Sequence, residues 1–247
     1  MLVPESCRDE AVNLLRTVHH LAPADSRDGR DAHFVAEQNA LLVRNAEEYY
    51  RTMVRSNAES WNIRDRHMLE TLARLVQHHG PRSKAIVWEH NTHIGDARYT
   101  DMADQGEVNI GQLTRELYGE DRVVLVGFGT HRGTVIAAEE WEAPMEVMRV
   151  SPARPESWEA VLHRAGAADK MLIFDPADLP DEFYGWRGQR AVGVVYHPQY
   201  EQYGNYVPTV LPRRYDAFLF LDETTALHPL HLKADPHKVP ETFPSGV

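Results

Sequence analysis

The chain has 247 residues, which suits one large domain or two small ones, and 37 acidic against 26 basic side chains give it a formal charge of −11. A surface of that sign repels phosphate backbones and anionic headgroups, so no nucleic acid and no membrane is expected as a partner. A hydrophobic share of 43% excludes disorder as the global state.

The first predicted element is a helix over residues 5 to 22, with Val12, Leu15, Val18 and Leu21 on one side. The start, MLVPESCRDE, has no apolar core of the kind a secretory signal needs. Cys7 is the sole cysteine, which excludes an intramolecular disulfide and a Cys-based zinc site, and a reducing cytoplasm is the expected compartment. A polar break, PADSRDGRD, covers residues 23 to 31. A long helix is predicted from residue 32 to about 57, with the stripe Val35, Leu42, Ala46, Tyr49 and Met53. A third helix is predicted over 63 to 79, with Met68, Leu72, Leu75 and Val76 on its apolar face. Asn62 is placed as its cap, Asp65 falls in its first turn, and Gly80-Pro81 stops it.

The pattern then shifts to short apolar runs. Lys84–Trp88, Val123–Phe128, Thr134–Ala138, Met145–Val150, Lys170–Phe174, Ala191–Tyr196 and Ala217–Leu221 are predicted strands. Helices are predicted at Ile110–Tyr118 and Ser157–Arg164. Strands that are apolar throughout, interleaved with helices, indicate a sheet covered on both faces. The expected fold is α/β: a layered α/β/α domain with a mostly parallel or mixed sheet and an N-terminal helical segment. The expected partition is 1–30 as helix and linker, 31–230 as the α/β domain, and 231–247 as a loose tail.

The richest chemistry lies in WEHNTHIGDARYTDM, residues 88 to 102, directly after the first predicted strand. Ligand sites of layered α/β sheets gather at the carboxyl ends of strands. Three readings compete for Glu89, His90, Asn91, His93, Asp96 and Arg98. In one, His90 or His93 moves protons at neutral pH, with Glu89 or Asp96 fixing the imidazole tautomer. In another, His90, His93 and Asp96 or Asp101 bind a divalent metal, although His-x-x-His alone is a weak signal. In the bland one, the histidines only hydrogen-bond the loop together.

A second stretch, VVLVGFGTHRGT, has Gly127, Gly129 and Gly133. The third glycine falls one place late for a dinucleotide fingerprint, so close backbone packing is the better reading. His131 and Arg132 follow a buried run and are candidates to share the cleft. Tyr196, Tyr200, Tyr203 and Tyr206 are read as packing, and Glu139, Glu140 and Glu142 as a solvated face. Asn45, Glu48 and Arg64 are polar positions on helices that could project into a site. There is no Gly-x-Ser-x-Gly elbow and no P-loop, so a familiar serine or cysteine nucleophile is not expected.

Five ordered segments carry a family resemblance: EQNALLVRNAEEYYRTM, WNIRDRHMLETL, KAIVWEHNTHIGDAR, VVLVGFGTHRGT, and VVYHPQYEQYGNYVPTVLPRRYDAFLFLDETTAL. Together, over about residues 31 to 230, they resemble the erythromycin esterase family. The resemblance implies a layered α/β fold with helical insertions and hydrolysis of a carboxylic ester or lactone, macrolides being the best-known substrates. The family's HN-x-H motif matches His90, Asn91 and His93, and its Arg-Asp pair matches Arg64 and Asp65. On this reading His90, His93 and Glu89 are catalytic. Asn91, Arg98, His131, Arg132, Arg64 and Asp65 bind substrate, and no cofactor is needed. A metal-dependent hydrolase and an inactive ligand-binding module are the alternatives. The family's opening strand, with a Gly-Glu-x-x-His-Gly motif, has no counterpart here. The chain is therefore expected to be a C-terminal part or a shortened relative, with an exposed sheet edge that favours a homodimer or poor solubility unless the first helix covers it.

Overall fold

The computed structural model describes residues 7–21, 27–53, 55, 57–141, 143–177 and 179–228. In chain order its elements are α1 (Arg8–His20), α2 (Arg27–Met53), α3 (Asn57–His79), α4 (Asn91–Ile94), α5 (Ile110–Tyr118), β1 (Val126–Ala137), β2 (Glu146–Val150), α6 (Trp158–Arg164), β3 (Lys170–Ile173), β4 (Arg187–Arg190), α7 (Glu201–Gly204), β5 (Tyr206–Thr209), α8 (Leu211–Arg214) and β6 (Ala217–Thr224). The expected tail and Glu142 lie outside the described residues. The chain divides into two compact units, Met1–Glu89 with Met102–Val123, and His90–Asp101 with Val124–Val247.

The first unit is helical. Helix α1 packs on α2, α2 on α3, and α3 on α5. Helix α2 begins at Arg27, so the second half of the expected polar break is helical. Its buried face also differs from the expected stripe: Leu41, Asn45 and Thr52 are buried, whereas Val35 and Leu42 are exposed. Polar ties between the helices select that face. Asn45 Nδ2 lies 2.7 Å from His67 Nδ1, and Arg74 of α3 reaches Glu37 of α2 at 3.2 Å.

Helix α3 starts at Asn57, six residues before the expected start, which places Asn62 inside it. Asn62 is instead a tertiary clamp: its Nδ2 donates to Gly106 O at 2.9 Å and its Oδ1 accepts from Val108 N at 2.8 Å. Trp61 Nε1 donates to the same segment, at Val108 O. Asp65, fully buried, accepts from Ile110 N at 3.0 Å and so supplies an acceptor to the first N–H of α5. The prediction for α5 itself holds at both ends, because Asn109 caps it by accepting from Gln112 N and Gly119 closes it at positive φ.

Lys84–Trp88 is not a strand. It has no regular secondary structure, with Ile86 94% and Trp88 83% exposed.

The second unit is built on a mixed four-stranded sheet of order β2-β1-β6-β3. Strands β1 and β6 are parallel, with Phe128 opposite Leu219, and the two outer strands are antiparallel to their neighbours. The expected strands at Val123–Phe128 and Thr134–Ala138 merge into β1, which pairs with β6 in its first half and with β2 in its second. Gly133 marks the changeover with φ 137°, and a Cβ there would meet the Thr224 main chain. Ala191–Tyr196 is not a strand; Val195 makes only an isolated bridge to Ala138. A separate ribbon, β4 with β5, takes its place beside it. Its first strand reads Arg-Gly-Gln-Arg, so hydropathy could not reveal it.

Alternation along β1 and β6 sends Gly127, Gly129 and His131, with Phe218, Phe220 and Asp222, to one face. Trp158 of α6, Tyr215, Phe218 and Phe220 form the core there, each no more than 2% exposed. Cβ atoms added at Gly127 and Gly129 would lie 2.7 Å and 2.6 Å from the rings of Tyr215 and Phe218, so these glycines admit aromatic rings and not a phosphate. On the other face, among the described residues, Phe128, Leu221, Met171 and Ile173 are exposed.

Candidate functional site

The HN-x-H segment folds as one short helical turn. His90 has extended backbone geometry, and its carbonyl accepts from His93 N at 2.9 Å and Ile94 N at 3.2 Å. Its side chain takes the N-cap position usually held by Ser, Asp or Asn: Nδ1 accepts from Thr92 N at 3.3 Å and lies 2.9 Å from Thr92 Oγ1. An Nδ1 that accepts from a main-chain N–H leaves the proton on Nε2, which donates to Val192 O at 2.9 Å. Both ring nitrogens are thus engaged by the protein. Burial lowers the His90 pKa below the usual histidine value, and the nearby His93 and Arg214 push it the same way, against the Val192 carbonyl. The ring keeps solvent-facing surface, yet the packed protein around it still favours the neutral imidazole.

Asn91 fixes the turn to the sheet. Its Nδ2 donates to Phe128 O at 2.5 Å and its Oδ1 accepts from Phe128 N at 3.0 Å. One side-chain amide therefore satisfies both main-chain groups of a residue on the side of β1 that faces away from β6. From below, Arg214 Nη2 donates to Asn91 O at 3.0 Å. Gly95 ends the turn where a Cβ would lie 2.5 Å from Arg214 Nε and 2.7 Å from the Tyr215 ring. These contacts hold His93 on a turn fixed at its start, its middle and its end.

Asp96 is fully buried and accepts from Arg98 three times: from N at 3.1 Å, from Nε at 2.9 Å and from Nη2 at 2.6 Å. Its carboxylate is thereby used to close the next turn. Among the described residues no group of three or more His, Cys, Asp or Glu side chains is arranged to hold a metal ion.

The other expected site residues have different settings. His131 stacks on His163 with ring centroids 3.8 Å apart and planes within 3°, and His163 Nδ1 lies 2.7 Å from Asp222 Oδ1. Burial and the adjacent His163 lower the His131 pKa. Arg132 points to the opposite face of β1 and forms an exposed pair with Glu223 at 3.0 Å. Arg64 and Asp65 belong to the first unit, where the Arg64 guanidinium lies 4.7 Å from the Trp61 ring centre and Asp65 serves α5. Glu89 belongs to the first unit, and the ring partners of His90 are Thr92 and Val192.

Sequence reasoning missed the support beneath the turn: Arg214, Tyr215, Gln189 and Thr209, all 1% exposed or less. The available signal was the charged doublet Arg213-Arg214 directly ahead of an apolar strand. It also missed a buried polar network behind β1. Arg190 donates to Thr130 O, His131 O and Ser151 O and pairs with Glu201, which accepts from Tyr196 Oη. Glu159 accepts from Arg190 N, and complete burial pushes its carboxyl up to about 7.

A mixed sheet with a histidine-bearing turn pinned to one strand defines an α/β domain. The family model for erythromycin esterase matches residues 2–224, and the chain belongs to that family. Three solved structures share the fold. A protein from Bacillus cereus matches with a TM-score of 0.67 at 16% identity, over 87% of this chain and 50% of its own. A succinoglycan biosynthesis protein matches with a TM-score of 0.64 at 16% identity, over 88% and 49%. A histidine-to-asparagine mutant of the erythromycin esterase EreC, in its open conformation, matches with a TM-score of 0.54 at 18% identity, over 87% and 50%. The chain spans about half the length of each. Among the described residues no helix is long and apolar enough to cross a membrane.

Proposed function

We propose that this chain carries the His-Asn-x-His part of a hydrolase site for carboxylic esters or lactones, in which a water attacks the carbonyl carbon. The observation that supports this most is the pinned turn: Asn91 clips it to Phe128 while His90 is neutral and fully hydrogen-bonded. Family membership supplies the reaction class, and macrolide lactones are the first substrates to test because EreC is an erythromycin esterase.

The two histidines divide the work. His90 has its ring nitrogens committed to Thr92 and Val192, so it holds the turn and contributes a fixed dipole. His93, one helical step further on, is assigned the proton: it takes one from the attacking water and returns it to the leaving alkoxide. Ester hydrolysis balances in these steps, since water supplies the hydroxyl to the acyl carbon and the proton to the alcohol. A base positioned in this way contributes about 100- to 10,000-fold.

The test is turnover of p-nitrophenyl acetate and of erythromycin by the purified chain. His93→Ala is expected to lower kcat by about two orders of magnitude or more with the fold intact by circular dichroism. Equal rates for wild type and His93→Ala overturn the assignment.

A further inference from the structure

Two arginines of the second unit are buried, and they are treated differently. Arg190 has a carboxylate, Glu201, against its Nε. Arg214 is 1% exposed and has none: among the described residues no Asp or Glu lies within ion-pair distance of it. Its partners are all neutral. Nη1 donates to Gln189 Oε1 at 3.0 Å and Thr209 Oγ1 at 2.9 Å, and Nη2 donates to Asn91 O at 3.0 Å. Its Nε is buried with no acceptor among the described residues and faces Gly95. Burying a full charge against neutral acceptors alone is costly, so a fold that keeps one there uses it for something besides packing.

We propose that Arg214 is a positioning residue of the His90–His93 turn: it holds that turn through the main-chain carbonyl of Asn91 and gives the turn a buried positive charge with no counter-ion. This rests on the ester-hydrolysis reading above. The attacked carbonyl becomes an oxyanion, and an uncompensated cation under the turn favours that state over the neutral ester. The Asn91 main-chain carbonyl that Arg214 holds also accepts from Gly95 N at 3.0 Å, so the guanidinium braces the peptide that closes the turn. Gln189 and Thr209, from the β4–β5 ribbon, orient the guanidinium plane and link the ribbon to the site. Gly95 is part of the device, since a side chain there would occupy the space of Arg214 Nε.

The experiment compares wild type with Arg214→Lys and Arg214→Met. It uses p-nitrophenyl acetate kinetics and amide hydrogen exchange by nuclear magnetic resonance. Arg214→Met is expected to lower kcat about 100-fold with KM changed less than about 3-fold. Exchange at His93, Ile94 and Gly95 is expected to accelerate at least about 10-fold, while the β6 amides keep their protection. Arg214→Lys, which keeps the charge but not the planar fork, is expected to fall between the two. The proposal is overturned if Arg214→Met turns over like wild type, if KM alone changes, or if both variants lose β6 protection together with the turn. If wild type hydrolyses no ester, the ester reading fails and exchange alone decides the bracing role. Acceleration confined to residues 91–95 upholds that role, and unchanged exchange there refutes it.

Discussion

Ala85–Trp88 and Ala217–Phe220 are both short apolar runs of the same chain, and their surroundings are opposite. Phe218 and Phe220 are 0% and 1% exposed, whereas Ile86 and Trp88 are 94% and 83% exposed. The difference is in their neighbours. Strand β6 has β1 on one side, β3 on the other and α6 across one face. Ala85–Trp88 belongs to no strand at all. Apolar composition makes a strand possible; ladder partners and a covering layer make it a core.

The contrast can be broken first at its strongest point. Phe218→Ala is expected to cost about 3–5 kcal/mol in urea unfolding, because it removes a fully buried ring from between Gly129 and Tyr215. A cost below about 1 kcal/mol would show that the β6 face is not the core.

Next is the ionisable part of that core. Glu159 is fully buried, and its carboxyl stands at about 7 in the folded protein against an ordinary 4.5. The folded state therefore holds the proton more tightly than the unfolded chain. This group favours folding fully below about pH 4.5, and the benefit is lost as pH rises through about 7. Glu159→Gln keeps an acceptor for Arg190 N and carries no charge. It is expected to raise stability by about 1–3 kcal/mol at pH 8 and to be nearly neutral at pH 5. Equal effects at the two pH values would contradict it.

Asn91→Leu tests the clip between the turn and β1. It leaves the N–H and C=O of Phe128 to water and is expected to cost about 1–2 kcal/mol. It is also expected to lower ester turnover about 10-fold or more, measured beside His93→Ala.

His131→Phe tests the stacked pair. The His131 pKa is lowered by burial, so the unfolded chain binds the proton better and stability falls as pH drops below 6.5. The phenyl variant is expected to flatten that part of the pH–stability curve, by less than about 1 kcal/mol. The smallest effect belongs to the exposed run: Ile86→Thr is expected to change stability by less than about 0.5 kcal/mol. A larger loss would mean that Ala85–Trp88 is covered in solution.

Much of this was legible in the residues, and the misses have physical causes. The end of helix α5 was readable because Gly119 is a local stop whose chemistry needs no distant partner. The buried face of α2 was not, because the Asn45–His67 contact joins residues 22 positions apart. Strand β4 was invisible to hydropathy, since Gln189 and Arg190 are buried through hydrogen bonds and not through apolarity. His90, Asn91 and His93 stood out as a motif, but nothing in the motif says that the Asn91 amide pairs with Phe128 or that His90 is already saturated.

By itself, then, the sequence determined the element types with strong local signals, the mixed α/β class, the family and the candidate cluster His90, Asn91 and His93. Only the tertiary structure decided which apolar runs are buried, which acidic and basic groups neutralise one another, and that Arg214 lies beneath the turn with no carboxylate among the described residues paired to it. Caps and periodicity act within a few residues along the chain. Burial and many hydrogen-bond partners are set by residues distant in the chain, as Arg214 shows with Gln189 at 25 positions and Asn91 at 123.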